Sequence, residues 1–285
     1  MRTNKISFQG DFGANSDTAC RKMFPHMDPL PCTTFEDALN AVETGEADLG
    51  MIPIENTLAG RVADIHHLLP QTQLFIVGEY FLPIHFQLMV LPGVKKQEIK
   101  TVHSHIHALG QCRKIIRNNG WKAVVASDTA GAAKFIKQMG DRSQAALAPK
   151  LAAELYGLDI IESDVEDDIN NVTRFVVVSR EDVRAVRKNK DDKIVTSFLF
   201  SVRNVPAALY KAMGGFATNG VNMTKLESYQ IDGSFSATQF FADIEGHPDD
   251  AMVRLALEEL AFFSKKIRIV GVYPASPERN SKFYR

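Results

Sequence analysis

The sequence predicts an α/β protein in two parts, the second a ferredoxin-like β-α-β-β-α-β unit. Three observations carry this. Through residues 5–179, short apolar strands alternate with helical patterns, the signature of mostly parallel sheets with crossover helices. A dense charge run from Glu181 to Lys193 then interrupts the alternation, with almost no apolar periodicity, and reads as a linker. Beyond it the order becomes strand (193–203), helix (206–219), strands (221–230 and 235–244), helix (249–263) and strand (267–273). A chain of 285 residues has room for two cores. The expected division is 1–181, a linker, and 193–275.

Residues 5–9 read as a strand, 15–24 as a helix, and 34–43 as a helix capped by Thr33 or Thr34. A buried strand follows at 49–54 and a short helix covers 65–69. The run 74–91 is the longest β-like stretch, and Pro83 breaks it near the middle. This predicts a crossover between two lobes near 83, with the return near 165–175 and a ligand crevice between the lobes. Helices are expected at 106–118, 129–139 and 148–156, with strands at 122–126, 144–147 and 172–179. In the second part, Pro206 suits the first turn of its helix and Gly220 its end. Asp232-Gly233 is a hairpin turn signal. The tail after Pro274 is expected to be poorly ordered.

The formal net charge of −1 gives no call for a nucleic-acid partner or an anionic membrane surface. No window reaches the ~18 apolar residues of a membrane span. Three cysteines, Cys20, Cys32 and Cys112, do not make a disulfide framework. The opening MRTNKISFQG lacks an apolar signal region. A cytoplasmic protein is the expectation.

Four motifs bear on chemistry. Gly10-Asp11-Phe12-Gly13-Ala14-Asn15-Ser16 leads from a strand into a helix, where backbone amides hold an anion or simply form a turn. Pro53-Ile54-Glu55-Asn56-Thr57 and Gly60 leave a buried strand with three polar side chains in a row, which suits a binding crevice or a capped turn equally. His103, His105 and His107 alternate ahead of Cys112. A helix beginning at 106 turns His107 away, and no second ligand cluster has zinc-like spacing, so no metal is expected. Arg174 enters the apolar strand after Asn171-Val172-Thr173, and a buried guanidinium needs either a carboxylate of the chain or a bound anion.

The order of these segments, with Ser104-His105, Ala108-Leu109, Gln111-Cys112 and Asp128-Thr129-Ala130 between them, resembles the prephenate dehydratase family. The second part resembles the ACT regulatory domain of those enzymes. The resemblance covers about 5–275 and implies a two-lobed catalytic domain similar to periplasmic binding proteins. It further implies conversion of prephenate to phenylpyruvate, water and carbon dioxide, with no cofactor.

On this resemblance Thr173 is the expected catalytic threonine, which orients or assists the departing hydroxyl. Glu55 is a possible proton source, and Arg174 anchors the pyruvyl carboxylate. Phe175 packs against the ring or supports the site, and Asn15, Ser16, Asn56, Thr57, Ser104 and Thr129 supply hydrogen bonds. L-Phenylalanine is expected at the second domain, near Asn204, Ala208, Leu209, Asn222, Glu227 and Ser228, in a homodimer or homotetramer joined through those domains. Two departures stand out: Ala207 where the family has Gly, and Tyr229-Gln230 where it has Arg-Pro. Arogenate dehydratase is the alternative reaction, and a non-catalytic amino-acid sensor the alternative of another class.

Overall fold

The computed structural model describes residues 3–187, 189, 192–203, 205–231 and 234–280, the side chains of 231, 234–238 and 280 excepted. These residues form two compact units. One takes the chain up to Val62 and again over Tyr80–Phe175; the other takes Ala63–Glu79 and the chain from Val176 onward. The units are thus drawn differently from the sequence division, because seventeen residues inside the first part cluster with the C-terminal ones.

In the first unit the chain runs β1 (Lys5–Gln9), α1 (Asn15–Met23), β2 (Asp28–Cys32), α2 (Phe35–Thr44), β3 (Leu49–Asn56) and β4 (Gly60–Arg61). Strand β1 pairs in parallel with both β2 and β3. Thr34 caps α2 reciprocally with Asp37, and Gly45 ends it in the left-handed conformation. Strand β2, Asp-Pro-Leu-Pro-Cys, has no counterpart in the sequence reading. Its prolines remove ladder donors, which an outermost strand tolerates, and β2 ends the sheet order β11-β3-β1-β2 once β11 (Val172–Ser179) is included.

After α3 (Ala63–Leu68) and β5 (Phe75–Pro83), a second lobe follows. It holds β6 (Gln87–Val90), β7 (Thr101–Ser104), α4 (Ile106–Gln111), α5 (Arg113–Asn118), β8 (Lys122–Val125), α6 (Thr129–Met139), β9 (Gln144–Ala148), α7 (Lys150–Tyr156) and β10 (Asp159–Glu162). The sheet order is β10-β6-β9-β7-β8. Strand β6 runs antiparallel to both of its neighbours, β9 and β10, so the lobe is mixed rather than mostly parallel. The chain enters this lobe just past Pro83 and leaves it at 163–171. Its core is rich in alanine (Ala130, Ala132, Ala133, Ala146, Ala148, Ala152) and admits Ala14 from the turn after β1.

That turn explains Gly13. Its φ is +91°, and a Cβ there would lie 2.8 Å from the Cα of Ala152 on α7. Gly13→Ala should therefore combine a left-handed penalty with overpacking, costing about 3 kcal/mol. Urea unfolding measures this; a midpoint equal to that of the parent chain would refute it.

The second unit carries β12 (Ile194–Val202), α8 (Ala208–Thr218), β13 (Met223–Ile231), β14 (Ser234–Glu245), α9 (Ala251–Phe263) and β15 (Ser264–Pro274), in the antiparallel order β13-β14-β12-β15. This is the expected β-α-β-β-α-β arrangement. Phe198, Phe200, Phe216 and Phe240 fill the space between sheet and helices. Asp232-Gly233 lies outside the described residues. Residue Ala207 precedes α8 at φ +58°, a conformation that suits glycine. Ala207→Gly should stabilise the fold by roughly 0.5–1 kcal/mol; a fall in Tm would contradict the assigned backbone.

Residues 275–280 of the tail depart from expectation, and 281–285 lie outside the described residues. Pro277–Asn280 forms a 3₁₀ turn, and the Arg279 guanidinium is buried against Glu79, with Nε–Oε1 at 2.5 Å and Nη2–Oε2 at 2.8 Å. Arg279 also donates to Thr224 Oγ1 at 3.2 Å, and the Ser276 amide donates to Glu79 at 2.9 Å. Arg268 on β15 donates to the carbonyls of Pro70, Thr72 and Leu74. His66 on α3 rests edge-on against Phe241, ring centroids 5.5 Å apart. A buried bidentate ion pair, rather than composition, holds the segment from Ser276 to Arg279.

Candidate active site

The polar residues that leave β3 meet the residues that enter β11. Asn56 is the centre of the meeting. Its side-chain amide nitrogen lies 2.7 Å from Asn171 Oδ1, 2.9 Å from Thr173 Oγ1 and 3.2 Å from the Val172 carbonyl. Its Oδ1 accepts from the amides of Leu58 and Ala59, which makes the turn after β3. Thr57 locks the same junction: its amide and hydroxyl donate to the carbonyls of Val172 and Asn170, and its hydroxyl accepts from the Val172 amide. The capped-turn reading of this motif therefore holds, and that turn presents the polar cluster.

Thr173 uses its hydroxyl oxygen to accept from Asn56, and among the described residues makes no other hydrogen bond through that group. Its own proton is left to donate elsewhere. Next to it, Arg174 is 1% exposed at the side chain and donates from Nη1 to Glu55 Oε1 at 2.8 Å, while Glu55 keeps 28% of its side chain exposed. The Phe81 ring lies under the guanidinium, 6.0 Å from its centroid. The buried charge thus has a carboxylate partner within the chain. That partner is Glu55, the residue expected as a possible proton source.

The other expected residues are dispersed. Phe175 is buried in the core below the junction. Ser104 is fully buried and its hydroxyl donates to the Leu147 carbonyl at 2.6 Å, so it ties β7 to β9 and does not face open space. Thr129 is buried at the start of α6, where Asp128 caps the Gly131 amide. Ser16 is buried in α1, and Asn15 lines a cavity of about 400 Å³ with Pro83, His85, Gln87, Pro149 and Asp164. The amide of Gly13, in the turn that precedes α1, donates to the buried Asp17 carboxylate at 2.8 Å, so the chain's own acid occupies this donor.

Sequence reasoning passed over Asn171 and Gln111 as site residues. Asn171 is buried, accepts from Asn56 and donates to Gln111 Oε1 at 2.6 Å. Both stood in the family motifs; their mutual contact spans sixty positions, beyond any local signal.

The histidine run does not converge. His103 pairs with Gln144, while His105 caps α4 beside His107 and is held below the usual histidine range by burial, then by His107. Burial pushes the thiols of Cys20 and Cys112 well up, and that of Cys32 to about 11, so none is a ready nucleophile. Cys112 is a packing residue.

In the second unit Ala208 is buried at the start of α8, Leu209 packs on the phenylalanine core, and Asn222 donates to Glu245 at 3.0 Å. Glu227 and Ser228 lie on the outer strand β13, with Lys225 at 3.4 Å from Glu227. Asn204 lies outside the described residues. Tyr229, in place of the family's Arg, keeps a buried hydroxyl without a hydrogen-bond partner among the described residues.

Comparison with known proteins decides what carries this geometry. The family profile described as prephenate dehydratase matches residues 6–183. The chain belongs to the prephenate dehydratase family. A relative from Komagataeibacter europaeus, named as a bifunctional N-acyl-homoserine lactone acylase/prephenate dehydratase, is 50% identical over 96% of this chain and 97% of its own length. Arogenate dehydratase/prephenate dehydratase 1 of Arabidopsis thaliana is 39% identical over 95% of this chain and 72% of its own length. A solved prephenate dehydratase from Arthrobacter aurescens in complex with L-Phe matches with a TM-score of 0.86 at 30% identity, over 96% of this chain and 94% of that one. The Asn56–Thr173 junction is therefore a feature of a prephenate dehydratase family member, and no helix among the described residues is long and apolar enough to cross a membrane.

Proposed function

We propose that the chain dehydrates and decarboxylates prephenate to phenylpyruvate. The observation that carries this reading is the Thr173 hydroxyl, fixed by Asn56 at 2.9 Å with its proton left to donate. In the reaction the bond from the ring to its carboxylate breaks and carbon dioxide leaves. The electron pair moves through the ring, which becomes aromatic, and the hydroxyl opposite departs. That hydroxyl needs a hydrogen bond or a proton as it goes. Thr173 supplies the hydrogen bond; a threonine hydroxyl is too weak an acid to be the final proton source.

Arg174 acts as a buried cation beside the site, held in place by Glu55. Asn56, Thr57 and Asn171 hold Thr173 rigidly, which is positioning rather than chemistry. L-Phenylalanine binds the second unit around Ala208, Leu209, Asn222, Glu227 and Ser228, with Asn204, and copies of the chain associate there. Support for this comes from the phenylalanine complex of the Arthrobacter aurescens relative.

A turnover assay with prephenate and with arogenate, each with and without phenylalanine, tests the reading; absence of phenylpyruvate formation would defeat it. A second activity, hydrolysis of an N-acyl-homoserine lactone amide, is favoured by the 50% identity to a relative that bears both names. The same preparation, offered an acyl-homoserine lactone, decides it by release of the free lactone.

A further inference from the structure

We infer that His85, Asp164 and Glu166 form a binding site for a divalent cation of the zinc class, placed where the two crossovers run side by side. His85 lies in the first crossover, between β5 and β6; Asp164 and Glu166 lie in the second, between β10 and β11. Backbone hydrogen bonds already join the crossovers: the Val165 amide donates to the Phe86 carbonyl and the Ile84 amide to the Asn171 carbonyl. The three side chains are thus presented from paired, rigid backbone rather than from free loops.

One ligand atom from each residue lies within 4.8 Å of the others. His85 Nδ1 is 2.7 Å from Glu166 Oε1 and 3.8 Å from Asp164 Oδ1. Bonds of about 2.0–2.2 Å in a tetrahedral shell place ligand atoms about 3.3–3.5 Å apart. The two separations from His85 bracket that spacing, and the Asp164 and Glu166 oxygens, within 4.8 Å of each other, have to draw together to fill three corners of the shell. The outer groups are also in place. Glu166 Oε2 accepts from the Phe86 amide at 3.0 Å, which aims the other oxygen at His85. Gln87 Nε2 donates to Asp164 Oδ1 at 2.9 Å. Ligating carboxylates held in this way are a regular feature of metal sites.

Charge favours the same reading. The Glu166 side chain is 1% exposed, and a carboxylate that buried needs a cation beside it. His85 supplies one only when protonated, and Asp164 adds a second negative charge next to the pair. A divalent ion in place of the imidazole proton neutralises both carboxylates at once. His85 and Asp164 also line the 400 Å³ cavity, which gives an entry path and room for water as the fourth ligand. One imidazole and two carboxylates suit Zn²⁺, or Ni²⁺ and Cu²⁺, better than an all-oxygen cation such as Ca²⁺. The spacing rules that dismissed a metal at His103–Cys112 do not reach this cluster, because His85 lies about eighty positions from the two acids.

The site does not depend on the proposed reaction, and its test needs only the metal. Zn²⁺ binding is followed by competition with a chromophoric chelator, Co²⁺ binding by its visible absorption, and both by the rise in Tm. The full chain is expected to bind one equivalent more than His85→Ala, with a higher Tm in zinc. His85→Ala and Asp164→Asn should each weaken that binding by about tenfold or more. Asparagine accepts the positive φ of 53° at position 164, so the second variant removes the charge while leaving the backbone as it is. Equal zinc uptake by the parent and both variants, or no uptake by the parent at 100-fold metal excess, overturns the site.

Discussion

Thr173→Ala is expected to lower kcat for prephenate by about a hundredfold to ten-thousandfold, the usual worth of one positioned proton-handling group. The fold should be unaffected, since the side chain makes a single hydrogen bond among the described residues. Because the leaving hydroxyl develops charge only as it departs, kcat and kcat/KM should fall together. Thr173→Ser should recover part of the loss, as it keeps the oxygen that Asn56 holds. Turnover of the alanine variant within a few-fold of the parent would remove Thr173 from the chemistry.

The second large effect concerns Glu55. Taking away one partner of a buried ion pair costs about 3–5 kcal/mol, and the partial exposure of Glu55 puts the expected loss at the lower end, about 3 kcal/mol for Glu55→Ala. Glu55→Gln keeps an oxygen for the Arg174 guanidinium but removes the charge, so it should lose less stability while kcat stays within about tenfold of the parent. Thermal unfolding and a pH profile of kcat/KM separate the two possible roles. An unchanged Tm with a collapse of kcat, or the loss of the acidic limb of the profile, would make Glu55 the proton donor after all.

Most of the strand and helix order was legible because it rests on local periodicity and caps: Thr34 before its helix, Pro83 at the break in the run 74–91. What escaped was decided at long range. Strand β2, with Pro29 and Pro31, went unread in the sequence, and its outermost place beside β1 is what admits it as a strand. The tail reads as disorder by composition, until Glu79, two hundred positions away, supplies the partner of Arg279. At the site, Thr173 and Asn56 were legible as motif members, but their contact was not. Arg174 posed a question that the sequence left open, a chain carboxylate or a bound anion, and Glu55 answers it for the structure described here. Ser104 shows the opposite failure: a polar residue in the right segment whose hydroxyl is consumed inside a sheet.

The capture of Ala63–Glu79 bears on how this chain can be cut. A break in the charged run at 181–193 looks like a clean separation of two modules, and by sequence order it is. Yet it would strip the α3–β5 segment of Arg268, which holds three of its carbonyls, and of the guanidinium that neutralises Glu79. The excised catalytic part would begin life with a stretch of backbone and a carboxylate built for partners it no longer has. Transplanting the C-terminal domain onto another enzyme, or exchanging it for a homologue, therefore means moving a discontinuous piece: the segment inside the catalytic sequence has to travel with it.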